Sequence, residues 1–89
     1  MIEIENNNYQ IIEGKDNFNE EQFEKLYTDY FYDYDYILGD YAYDRLRLKG
    51  FYEESNAKVS KINCIIEKEN YLKNYCAYGA KYFLLKKVK

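Results

Sequence analysis

From Tyr32 to Tyr43 aromatic and acidic side chains alternate, and from Arg45 to Phe51 cations alternate with leucine and glycine until the aromatic end. A repeat of two belongs to extended backbone, whose successive side chains leave opposite faces of a sheet. This predicts a strand near Tyr36 to Gly39, a turn or bulge around Gly39 to Asp44, and a longer strand from Arg45 to Glu53. Asp40 and the small residues Gly39 and Ala42 suit a tight connection. Along the second strand Arg45, Arg47, Lys49 and Phe51 point one way and Leu46, Leu48 and Gly50 the other. One face is expected to be buried and the other basic. Gly50 reads as a place where a backbone or ring approaches closely.

The remaining segments supply partners for this strand pair. Ile2-Glu3-Ile4 and Tyr9-Gln10-Ile11-Ile12 read as a hairpin joined through an asparagine-rich turn, which Gly14 ends. Asn19 with Gln22 forms a helix-start capping box, and Phe18 is placed to staple onto Phe23. Phe23, Leu26, Tyr27, Tyr30 and Phe31 then share one helical face. Glu53 to Lys61 is polar and reads as a loop, with a short strand allowed around Lys58 to Ile62. A second helix is expected from Ile65 to Ala77, with Ile65, Leu72 and Cys76 inward and Gly79 beyond its end. Ala80 to Val88 reads as a last strand. The economical arrangement is an α+β fold, a two-layer sandwich with both helices on one face of a mostly antiparallel sheet.

At 89 residues, with 47% hydrophobic and 20% aromatic content, the chain is long enough for one packed domain, expected over residues 1–89. No apolar run approaches a membrane span and the start lacks a basic region leading into an apolar one, so a cytoplasmic address is expected. Cys64 and Cys76 lack paired spacing, and histidine is absent, which leaves too few soft ligands for structural zinc. Both cysteines are expected as reduced thiols, and no cofactor or metal is expected. Charge is uneven: residues 1–44 carry twelve carboxylates and two lysines, and residues 45–89 carry eleven cations and four glutamates. Such asymmetry points to charged partners, or to halves that neutralise each other across strands.

Several blocks in order carry a resemblance over most of the chain. They are the Met1-Ile2-Glu3-Ile4 start, Tyr9-Gln10-Ile11-Ile12-Glu13, Tyr34-Asp35-Tyr36-Ile37-Leu38-Gly39-Asp40, Leu46-Arg47-Leu48-Lys49-Gly50-Phe51, and Tyr71-Leu72 through Tyr75-Cys76, Gly79, Tyr82-Phe83 and Leu85. Together they resemble the YutD-like family of small bacterial proteins. The resemblance implies a single domain without an assigned activity. Ala80 stands where it would place a second cysteine.

Two surfaces are candidate sites. The acidic, tyrosine-rich stretch offers Asp33, Tyr34, Asp35, Asp40, Tyr41 and Tyr43, and suits a protein partner. Tyrosine gives large contact area at low rotamer cost, and carboxylates steer a basic partner toward it. It also suits a small acidic inhibitor that imitates nucleic acid. The plainer reading makes these tyrosines core in a chain without tryptophan. The basic row Arg45, Arg47 and Lys49, with Phe51 as a stacking platform, suits RNA or a ribonucleoprotein. Counting the first hairpin as one strand, the element order approximates an RNA-recognition module, but the Lys49-Gly50-Phe51 match stops after three residues and the pI near 5.0 is low for such a binder. Asp33, Asp35, Asp40 and Asp44 lack calcium-loop spacing, and without histidine a base at neutral pH would need a strongly perturbed carboxylate or lysine. The first expectation is a non-enzymatic binding domain whose partner is an unidentified protein; RNA is the alternative, and a homodimer is compatible with a half-open sheet.

Overall fold

A computed structural model of the chain describes residues 2–4, 7–42, 45–75 and 81–88. The asparagine turn at residues 5–6, Tyr43 and Asp44, and Cys76 with Gly79 lie outside the described residues. Five strands make one sheet: β1 (Ile2–Ile4), β2 (Asn7–Glu13), β3 (Tyr36–Ala42), β4 (Arg45–Phe51) and β5 (Tyr82–Val88). Their order is β1-β2-β5-β3-β4, and every pairing is antiparallel. Two helices, α1 (Glu20–Leu26) and α2 (Lys68–Tyr75), complete the α+β fold.

The expected hairpin forms, with Ile2 opposite Tyr9, and Gly14 ends it at φ 72°, in the left-handed region. A β-carbon there would lie 2.0 Å from the Tyr82 carbonyl oxygen, so glycine serves both the turn and a close backbone approach. Helix α1 starts where its capping residues place it. The Asn19 side chain accepts from the Gln22 N–H at 3.0 Å, and the Phe18 and Phe23 rings lie 5.6 Å apart. The helix stops sooner than its apolar spacing implies, at Leu26. Tyr27 turns extended at ψ 127°, and a separate 3-10 turn, Asp29–Phe31, carries Phe31 back to the core. Phe23, Tyr27 and Phe31 are buried, whereas Leu26 and Tyr30 are exposed.

Strand β3 does not turn at Gly39. It runs on to Ala42, with Asp40 opposite Arg47 and Tyr41 opposite Leu46. Gly39 lies mid-strand because the Phe83 ring covers it; a β-carbon would come within 2.1 Å of that ring. The strand allowed at Lys58 to Ile62 does not form. Instead Cys64 makes one parallel bridge to Tyr52. The second helical segment begins with a 3-10 turn, Ile65–Glu67, before α2.

The helices pack on opposite faces, not on one. Ile37, Phe83 and Leu85 face Phe23 and Tyr27 of α1, together with Ile4, Tyr9 and Phe31. Tyr36, Leu38, Phe51 and Leu84 face Ile65, Tyr71 and Leu72. Central β5 explains the difference. Its consecutive Phe83, Leu84 and Leu85 are all buried, and such a run within a strand requires cover on both sides.

Candidate functional site

The sheet draws much of the acidic tyrosine segment inward. Asp35 is buried, where its carboxylate accepts from the Glu53 N–H at 2.8 Å and from the Asn56 side chain at 2.9 Å. Asp40 is 1% exposed and pairs with Arg47 at 2.5 Å. The half-buried Tyr41 donates to the Asn17 carbonyl at 2.8 Å. These three side chains hold strands and turns together, and they do not join Asp33 and Tyr34 in one outer surface.

Tyr30 and Tyr34 meet in an outer ledge, and the exposed Asp29 and Asp33 immediately precede these two rings in sequence. Tyr30 is 66% exposed; its ring lies 5.5 Å from that of Tyr34, which lies 4.6 Å from Tyr52. The Tyr34 hydroxyl donates to the Tyr30 hydroxyl at 3.0 Å. Burial, followed by that hydrogen bond, pushes the Tyr34 phenol up to about 12, so it stays protonated at neutral pH. Asp33 is exposed and pairs with Lys58 at 2.7 Å, and that hydrogen bond holds its carboxyl below the usual range. An exposed pair of this kind contributes little to folding. The Tyr34 ring also covers Gly50, where a β-carbon would lie 2.3 Å from it, so Gly50 has the close ring contact expected of it. Helical spacing puts Tyr30 on one face with Phe23 and Tyr27, but α1 ends at Leu26 and Tyr30 lies at the surface.

The basic row is real as geometry but lacks its platform. Arg45 is exposed, Arg47 is 43% exposed and paired to Asp40, and Lys49 lies 5.4 Å from the Phe51 ring centre. Phe51 itself is fully buried, edge-on to Tyr71 at 6.0 Å, because α2 covers the face of the sheet from which it projects. It therefore cannot stack on a base. Lys49 and Phe51 line a groove of about 660 Å³ with Lys61, Ile62, Glu67, Asn70 and Tyr71. Ile62 is 79% exposed there. Its place beside β4 depends on the Tyr52–Cys64 bridge, which no local pattern announces.

Charges from the two halves of the chain meet at Asp33–Lys58, Asp40–Arg47 and Glu13–Lys68. Neutralisation across elements therefore accounts for part of the asymmetry. Among the described residues, Cys64 is a buried free thiol, and no helix is long and apolar enough to cross a membrane.

The family model described as "Putative antitoxin YutD-like" matches residues 3–86. The chain belongs to the YutD-like family. The family named by the ordered motif blocks is thus the one that matches. A relative named "Putative antitoxin YutD", from Bacillus subtilis (strain 168), is 41% identical over 90 residues, covering 100% of this chain and 99% of its own. The solution NMR structure of protein yutD from B. subtilis superposes with a TM-score of 0.81 at 41% identity, covering 100% of this chain and 82% of that one.

Proposed function

We propose that this YutD-like chain is a non-enzymatic, cytoplasmic binding protein that holds a basic partner protein on the ledge of Asp29, Tyr30, Asp33 and Tyr34. The observation that carries this reading is the row of tilted ring contacts from Tyr30 through Tyr34 to Tyr52, with Tyr30 66% exposed at its outer end. A rigid aromatic side chain flanked by exposed carboxylates offers contact area with little ordering cost and attracts a cationic surface. The relative's name supports the same class of action, since an antitoxin can counter a toxin by direct contact. A small acidic protein that imitates nucleic acid toward its target is one form of this reading. RNA binding through Arg45, Arg47 and Lys49 has less support, because Phe51 is buried and Arg47 is engaged by Asp40.

Affinity capture with the wild-type chain and with a Tyr30→Ala, Asp33→Lys double variant tests the reading, with folding of both checked by amide spectra. Loss of a specific protein partner in the folded double variant is expected. Retention of the full set of partners by that variant contradicts the ledge.

A further inference from the structure

Among the described residues, strand β4 pairs with β3 alone and lies at the edge of the sheet. The Phe51 carbonyl accepts from the Asp35 N–H at 3.0 Å, so Phe51 turns its backbone toward β3. Tyr52 turns the other way: its N–H donates to the Asn63 carbonyl at 2.7 Å and its carbonyl accepts from the Ile65 N–H at 2.9 Å. The alternation of an antiparallel ladder then directs the backbone groups of Gly50, Leu48 and Leu46 outward as well. Among the described residues none supplies these groups with a backbone partner. Residues 63–65 thus open a row beside β4, and the row stops after the single Tyr52–Cys64 bridge.

The side chains along this edge define what can continue the row. On one face Leu46 and Leu48 are only half-buried against the core. On the other, Arg45, Lys49 and the nearby Lys61 make no ion pair with any described residue. Lys49 and Lys61 share the groove whose apolar wall is Ile62 and Tyr71.

We infer that the outer edge of β4 accepts an extended acidic segment of a partner protein as a sixth strand. Main-chain hydrogen bonds go to Leu46 and Leu48, since Gly50 is buried under Tyr34. Apolar side chains of the segment cover Leu46 and Leu48, and carboxylates on alternate positions meet Arg45, Lys49 and Lys61. A second copy of β4 is a poor occupant, because antiparallel self-pairing sets two rows of Arg45, Arg47 and Lys49 beside each other. The same cations that discourage edge-to-edge aggregation therefore select for an acidic strand. This edge adjoins the Tyr30 ledge at Gly50, which Tyr34 covers, but the inference draws on Leu46, Leu48 and the β4 cations and does not rest on the ledge's binding a partner.

The test is titration of the isotope-labelled full chain with a synthetic peptide about ten residues long that alternates glutamate with valine and threonine. A lysine-for-glutamate counterpart and a uridine oligonucleotide serve as comparisons. Expected are amide shifts and slowed exchange at Leu46 and Leu48 with the acidic peptide only, weakened about tenfold or more by Lys49→Glu with Lys61→Glu. Leu48→Pro should also block docking, since it removes an outward N–H and leaves the β3 ladder bonds in place. The inference is overturned if these amides do not respond at millimolar peptide, if the response lies elsewhere, if the folded charge variant binds equally well, or if β4 responds only to the oligonucleotide.

Discussion

At the scale of single residues, two glycines of β3 and β4 are fixed by rings. Gly39 lies under Phe83, which is fully buried and meets Phe18 edge-on at 5.0 Å. Gly50 lies under Tyr34, which is half-buried and has an outer neighbour in Tyr30. A methyl group at Gly39 has to displace a locked ring, so Gly39→Ala should cost about 1–3 kcal/mol in urea unfolding, the usual range for an overpacked core. Gly50→Ala should cost less, since Tyr34 can move toward solvent. Equal losses would contradict this difference in packing. The pair Asp40–Arg47 gives a second contrast. Asp40 is 1% exposed and Arg47 43%, so removing the cation disturbs a buried carboxylate while part of the loss is screened. Arg47→Leu is expected to cost about 2 kcal/mol, below the range for wholly buried pairs. Arg45→Leu should change unfolding by no more than about 0.5 kcal/mol, as is usual for exposed positions.

At the scale of elements, Glu13 links β2 to α2 and β5 through Lys68 and the Tyr82 hydroxyl, the latter at 2.9 Å. Burial by itself raises the Glu13 carboxyl, but the hydrogen bonds from Lys68 and Tyr82 outweigh it and hold it below its ordinary value of 4.5. The unfolded chain therefore takes up this proton more readily than the folded one. The stabilisation is fully present above the unfolded value and is lost as pH falls through the lower folded value. Glu13→Gln should flatten the pH dependence of the unfolding midpoint below about pH 5, leaving a smaller difference between acid and neutral conditions than in the wild type. An unchanged acid slope would remove Glu13 from this role. Local chemistry made several elements legible: the Asn19 cap, the Phe18 staple, Gly14 and the alternation of β4 all rest on neighbours in sequence. The placement of both helices on one face failed on a signal that was present, the Phe83-Leu84-Leu85 run, which requires cover on both sides of β5. The end of α1 was not legible, because Tyr27 leaves the helix to bond the Tyr9 hydroxyl at 2.6 Å, a contact from a distant strand.

For the whole molecule, the last strand enters the middle of the sheet, between β2 and β3. This makes β4 an edge and brings the Tyr30 ledge beside the end of that strand through Gly50 and Tyr52. The candidate site was only half legible for the same reason: tertiary pairing, not composition, buries Asp35, Asp40 and Phe51 and leaves Asp33, Tyr34 and Arg45 toward solvent to differing degrees. The most direct test of a protein-binding role is capture from a native lysate at low salt, split into RNase-treated and untreated halves, with co-purifying protein and RNA identified. A protein partner that survives RNase with wild-type bait and is lost with the folded Tyr30→Ala, Asp33→Lys bait is the predicted result. Loss of every partner on RNase treatment would contradict it and move the binding to RNA.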